Sequence, residues 1–175
     1  MPTLILDPAP AQLEALLEHR RETGADIFDE VWEGVYHLTP SPNIGHSLLD
    51  GQLVMLLTPT ARAAGLLVSG VFNLGRTKDD FRIPDLGVHR GRPHGTFIPT
   101  AAIVVEIVSP GDESWKKLPF YARHGVDEVL IVDPAIHSVS WLALQSGEYR
   151  ASERSRIIDL GANRLAERID WPPVE

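Results

Sequence analysis

The segment AAIVVEIVSP (101–110) constrains the chain more than any other stretch. Its first eight positions are apolar except for Glu106, and the run is short, rich in Val and Ile, and closed by Ser109 and Pro110. Those features predict a β-strand, and a strand apolar on both faces belongs at the centre of a covered sheet. A carboxylate inside such a strand is costly unless a cation or several hydrogen bonds compensate it. The preceding segment RIPDLGVH (82–89) also reads as a strand and places a second acid, Asp85, directly after Pro84. Two acids on consecutive strands, with Lys116 and Lys117 just beyond, point to compensation by a metal ion and a nearby ammonium.

The rest of the chain is read around that pair. Residues 8–24 predict a first helix, with Asp7 as N-cap, Pro8 in the first turn, Gly24 as the stop, and an apolar face of Leu13, Leu16 and Leu17. Residues 27–39 alternate around Gly34 and read as a β-hairpin or bent strand pair. A second helix is expected from Ile44 to about Ala64, with Leu48, Leu49, Val54, Met55, Leu56 and Leu57 buried and Pro59 kinking or ending it. Residues 66–73 read as one strand, 90–99 as a Gly- and Pro-rich loop, and 114–124 as a third helix with Pro119 near its start. EVLIVD (128–133) reads as a further buried strand, with Asp133 organising an Asp-Pro turn, and residues 138–152 as an antiparallel pair around Ser146-Gly147. The stretch 157–175 reads as peripheral. The class is α/β, one sheet with helices on both faces, in a single domain spanning 1–175.

Composition narrows the function classes. The chain has 175 residues, no cysteine and a formal charge of −8. It therefore offers neither a disulfide framework nor a thiolate metal site, and no window reaches the ~20 apolar residues of a membrane span. A cytoplasmic protein without a signal peptide is the expectation. Residues 1–50 carry −7 of the net charge, and the remainder is close to neutral, with Arg76, Lys78, Arg82, Arg90 and Arg92 flanking Asp85. The net charge argues against a large sequence-independent nucleic-acid footprint, and the distribution softens that by leaving local positive charge beside Asp85.

Asp85 and Glu106 are hard oxygen donors of the kind that hold Mg²⁺ or Mn²⁺, and the carbonyl of Ile107 supplies a further oxygen. Lys117 is assigned to stabilise developing negative charge, with Lys116 in reserve; neighbours on a helix diverge by about 100°, so only one of them faces inward. Glu33, beside Gly34, is an additional candidate ligand, and His46 a candidate base or phosphate contact. Each also has a plain structural reading: an ion pair for Glu106, a turn acid for Asp85, a solvated strand acid for Glu33 and a structural histidine for His46.

The ordered set Pro84-Asp85, twenty residues, then Glu106-Ile107-Val108 resembles the PD-(D/E)XK nuclease signature. A longer set resembles the Uma-two family of restriction-endonuclease-like proteins. It comprises VEIVSP (105–110), Lys117 followed by Tyr121-Ala122, GVDE (125–128) and VDP (132–134), with Glu33-Gly34, Ser41-Pro42 and His46 upstream. The resemblance spans residues 33–144 and implies a restriction-endonuclease-like mixed sheet flanked by helices. Its nuclease core covers about 44–133, with an added N-terminal helix and hairpin and a C-terminal hairpin. It also implies a Mg²⁺-dependent endonuclease acting on DNA, with a metal centre at Asp85 and Glu106. The lysine expected two residues after the glutamate is Val108 here, and the resemblance assigns its role to Lys117 on the following helix.

Two other function classes stay open on the sequence alone. One is a non-catalytic nucleic-acid-binding or assembly protein on a nuclease fold; the other is a hydrolase of smaller phosphate esters. The edge hairpin around Ser146-Gly147, with Trp141 and Trp171 as candidate exposed aromatics, suggests a homodimer.

Overall fold

The computed structural model describes residues 4–6, 11–109, 111 and 113–173. Asp7, Pro8, Pro110 and the Leu13 side chain lie outside the described residues. The chain runs β1 (Leu4–Leu6), α1 (Ala11–Thr23), β2 (Glu30–Trp32), β3 (Val35–Leu38), α2 (Ile44–Ala63), β4 (Leu67–Ser69), β5 (Asn73–Thr77) and β6 (Asp80–Arg82). It continues through β7 (Leu86–His89), β8 (Phe97–Ile98), β9 (Ile103–Ile107), a 3-10 turn (Ser114–Lys117), α3 (Leu118–Arg123), β10 (Glu128–Asp133), β11 (Ser138–Gln145), β12 (Glu148–Ser152) and α4 (Ala162–Ala166).

These strands form two six-stranded sheets rather than the single sheet expected. The first has the order β1-β3-β2-β6-β5-β8 and the second β12-β11-β10-β9-β7-β4. The division follows from Gly70-Val71: the stretch read as one strand bends there, so β4 pairs with β7 in the second sheet while β5 pairs with β6 and β8 in the first. At the centre of the second sheet β9 and β10 are parallel, and β7 runs antiparallel to β9. All five residues of β9 are buried, as its two-sided apolar pattern requires.

Alternation along β9 divides the core. Ile103, Val105 and Ile107 pack with Leu49, Leu53 and Leu57 of α2. Val104 packs on the opposite side with Phe120 and Tyr121 of α3 and Leu74 of β5. Glu106 shares the parity of Val104 and so points toward α3 and the first sheet. The turn of the N-terminal hairpin is Glu33-Gly34, with φ of 52° and 89°. Two successive positive φ angles define the tight turn that suits a right-twisted hairpin, and they put Glu33 at its tip.

Several expectations are corrected. Helix α2 carries on through Pro59 to Ala63; its buried stripe is Leu49, Leu53, Leu57 and Ala61, whereas Leu48 and Met55 face outward at 58% and 68% exposure. The C-terminal stretch is part of the core, because Ile158, Leu160, Leu165 and Ile169 close the α2 side of the second sheet. Trp141 is 1% exposed, and Trp171 stacks on His137; Trp141 therefore offers nothing to a dimer surface. Among the described residues no helix is long and apolar enough to cross a membrane.

Candidate active site

The two acids meet because β7 and β9 are neighbours. Asp85 lies just before β7, its N–H donating to the Val105 carbonyl at 3.1 Å. Its Oδ2 accepts from the Ile107 N–H at 2.6 Å. One acid is thus tethered to the residue after the other, and both line a cavity of about 380 Å³ between the first sheet and the end of the second. The start of α2 supplies His46. Asn43 caps that helix by accepting from the His46 N–H at 2.8 Å, and His46 Nε2 reaches Asp85 Oδ1 at 3.3 Å.

Lys117 enters from the end of the 3-10 turn and closes the floor. Its Nζ lies 3.2 Å from Glu106 Oε2 and 2.8 Å from Glu30 Oε1. The Tyr121 hydroxyl, one turn further along, donates to Glu106 Oε1. Lys116 points away: its side chain is 69% exposed and pairs with Glu113 at 3.0 Å. Of the two lysines, Lys117 is the inward one. Glu33 stands outside the cavity; its side chain is 72% exposed and pairs with Arg123 at 3.0 Å.

Glu30 holds the position that the sequence suggested for Glu33. It is buried on β2, accepts from Trp32 Nε1 at 2.6 Å and from the Ile83 N–H at 2.7 Å, and shares Lys117 with Glu106. The two-residue turn is the signal that separates these acids: it sends Glu33 to the tip and leaves Glu30 on a paired strand. Asp50, one helical turn beyond His46, was also unsuspected. Its Oδ1 is buried with no hydrogen-bond partner among the described residues. Burial pushes its carboxyl above the ordinary value, the charge of Asp85 adds to this, and His46 opposes it.

Burial dominates the electrostatics of Glu106 and pushes its carboxyl up to about 8; Lys117 pulls it down, while Asp85 and Glu30 push it further up. For Lys117, burial disfavours the ammonium, but the carboxylates of Glu106 and Glu30 outweigh it and hold the group protonated above its ordinary value. Burial and the neighbouring Glu106 raise Tyr121 well above the usual phenol value, so its proton stays in the bond to Glu106.

The residues fit a hard divalent cation. Glu30, Asp85 and Glu106 face the single ammonium of Lys117, which leaves surplus negative charge on the cavity floor for a cation to neutralise. Among the described residues no three His, Asp or Glu side chains gather to hold a metal by themselves. Asp85 and Glu106 with the Ile107 carbonyl would leave the remaining positions to water and substrate oxygens, a pattern typical of Mg²⁺.

A comparison with curated proteins finds no match. Among solved structures, the fold is similar to a protein of Anabaena variabilis described as a "putative nuclease belonging to DUF820", with a TM-score of 0.64 and 17% sequence identity. The match covers 80% of this chain and 90% of that one. The family Uma2, described as "Putative restriction endonuclease", matches residues 12–163. That span takes in strands β2 to β12, the lysine turn and every acid of the cavity, and the chain belongs to the Uma2 family.

Proposed function

We propose that the protein is a metal-dependent endonuclease that hydrolyses DNA phosphodiester bonds. Asp85, Glu106 and the Ile107 carbonyl would hold Mg²⁺ or Mn²⁺. The observation that carries this reading is the bridging of Glu106 and Glu30 by the Lys117 ammonium, in the cavity that Asp85 also lines. A bound divalent cation supplies polarisation of the phosphate and a water acidic enough to react near neutral pH. The chain's own residues provide the rest. Lys117, held protonated between two carboxylates, stabilises the negative charge that builds on the phosphate and does not act as a base. The Ile107 N–H and His46 hold Asp85 in place through its two oxygens. Tyr121 and Lys117 do the same for Glu106.

The cleavage assay is direct. Supercoiled plasmid incubated with protein and Mg²⁺ or Mn²⁺ is expected to be nicked or linearised, and Asp85→Ala is expected to lower the rate by at least about 10²-fold. Metal-dependent cutting that persists in Asp85→Ala sinks the assignment. The same proposal includes a cytoplasmic homodimer, whose two centres would address the two strands of a duplex.

A further inference from the structure

The proposed centre would join a metal to an ammonium and two ligand carboxylates, and none of its side chains is free to hand a proton to the departing sugar oxygen. Lys117 is locked between Glu30 and Glu106, Tyr121 has committed its proton to Glu106, and His46 is engaged by Asp85. Among the described residues one titratable group on the cavity wall is left over. His37, on β3, lines the cavity and is 5% exposed. Its Nδ1 meets Glu113 Oε2 at 2.7 Å, while its Nε2 has no hydrogen bond among the described residues.

His37 is also held in orientation. Its ring stacks on Trp32 with centroids 4.1 Å apart and planes inclined by 16°. The guanidinium of Arg82 covers Trp32 at 4.3 Å from the ring centroid, so the tryptophan is itself fixed. Glu113, in the loop leading to the 3-10 turn, is tied down by Lys116 at 3.0 Å. Burial raises its carboxyl, but the bonds from Lys116 and His37 outweigh that and hold it below the ordinary value. The charged groups around His37 are therefore Glu113 with Lys116 behind it and Glu30, its cross-strand partner on β2, with Lys117 bound to it. Across the cavity stand Asp85, His46 and Glu106. A histidine backed by a carboxylate at Nδ1 and open at Nε2 is the arrangement by which imidazole moves protons near neutral pH.

Resting on the nuclease reading above, we propose that His37 is the general acid of the reaction and Glu113 its positioning residue. In the step, a water oxygen bonds to phosphorus as the bond from phosphorus to the leaving sugar oxygen breaks. The leaving oxygen takes the proton from His37 Nε2 and departs as a hydroxyl. The proton lost by the attacking water passes to solvent, and solvent reprotonates His37.

Leaving-group chemistry tests this. His37→Asn keeps a donor in place of Nδ1 for Glu113 and removes Nε2. Its Mg²⁺-dependent cleavage of DNA is expected to fall about 10²-fold. Cleavage of the 4-nitrophenyl ester of thymidine 5′-phosphate is expected to stay near wild type, because nitrophenolate leaves as a stable anion without a proton. Glu113→Gln, a milder change that serves if His37→Asn does not fold, is expected to lose roughly tenfold on DNA and nothing on the ester. Equal losses on both substrates, or no loss on DNA, overturn the proposal while leaving the nuclease reading intact. A wild type that cleaves neither substrate with Mg²⁺ or Mn²⁺ overturns both.

Discussion

Replacing Lys117 with methionine is expected to lower the melting temperature by roughly 10 °C at pH 8 and to reduce cleavage by about 10²–10³-fold. Methionine occupies the volume of the lysine stem, so packing changes little and the effect isolates the charge. Glu30 and Glu106 are 4% and 3% exposed, and both lean on this one ammonium. With it gone, Glu30 keeps Trp32 Nε1 and the Ile83 N–H, and Glu106 keeps the Tyr121 hydroxyl, but neither has a counter-charge in contact. Breaking a buried pair in this way typically costs about 3–5 kcal/mol. The deficit has a predictable pH dependence. Uncompensated buried carboxylates titrate above their unfolded values, and such groups withdraw stability as pH rises through the folded value. The gap between Lys117→Met and wild type should therefore be widest at pH 8 and shrink toward pH 5. Thermal unfolding followed by circular dichroism at the two pH values measures it. Equal melting temperatures would mean that the ammonium does not hold these acids.

The second large effect concerns Glu106, whose carboxyl is pushed up to about 8 from an ordinary value of 4.5. Its folded value lies above its unfolded one, so the stability it allows is fully present below about 4.5 and is lost as pH climbs to about 8. The metal-free protein is expected to lose stability to this group across that window. A divalent cation competes with the same proton. Its affinity should rise up to about tenfold per pH unit through the window and level off above it. Added Mg²⁺ should accordingly raise the melting temperature far more at pH 8 than at pH 6. Glu106→Gln removes the titration and should flatten both profiles. Melting curves with and without Mg²⁺ across that pH range decide it: a wild-type profile as flat as that of the glutamine variant contradicts the account.

What was legible in the sequence followed two-sided burial. Strands β9 and β10 have no polar face, so both their existence and the oddity of Glu106 could be read from residue types alone. Asp85 came with them, and Lys117 emerged from the helix that follows. Glu30 was missed because an isolated Glu-Val-Trp in a hairpin has the pattern of a half-solvated strand. Its burial depends on the first sheet folding over the end of the second, and no local pattern encodes that. The core role of Ile158, Leu160, Leu165 and Ile169 was hidden for a related reason: α4 has five residues, too few to show a helical period. Leu48 and Met55 misled in the other direction, since α2 is apolar on more of its circumference than it buries.

The central claim is that Asp85 and Glu106 form a divalent-cation site. Isothermal titration of Mg²⁺ and Mn²⁺ into wild type and Glu106→Gln at pH 8 tests it most directly, because the substitution keeps shape and removes charge. The account predicts saturable binding to wild type that is abolished in Glu106→Gln. Equal binding by both proteins, or none by wild type with or without a DNA duplex present, would contradict it.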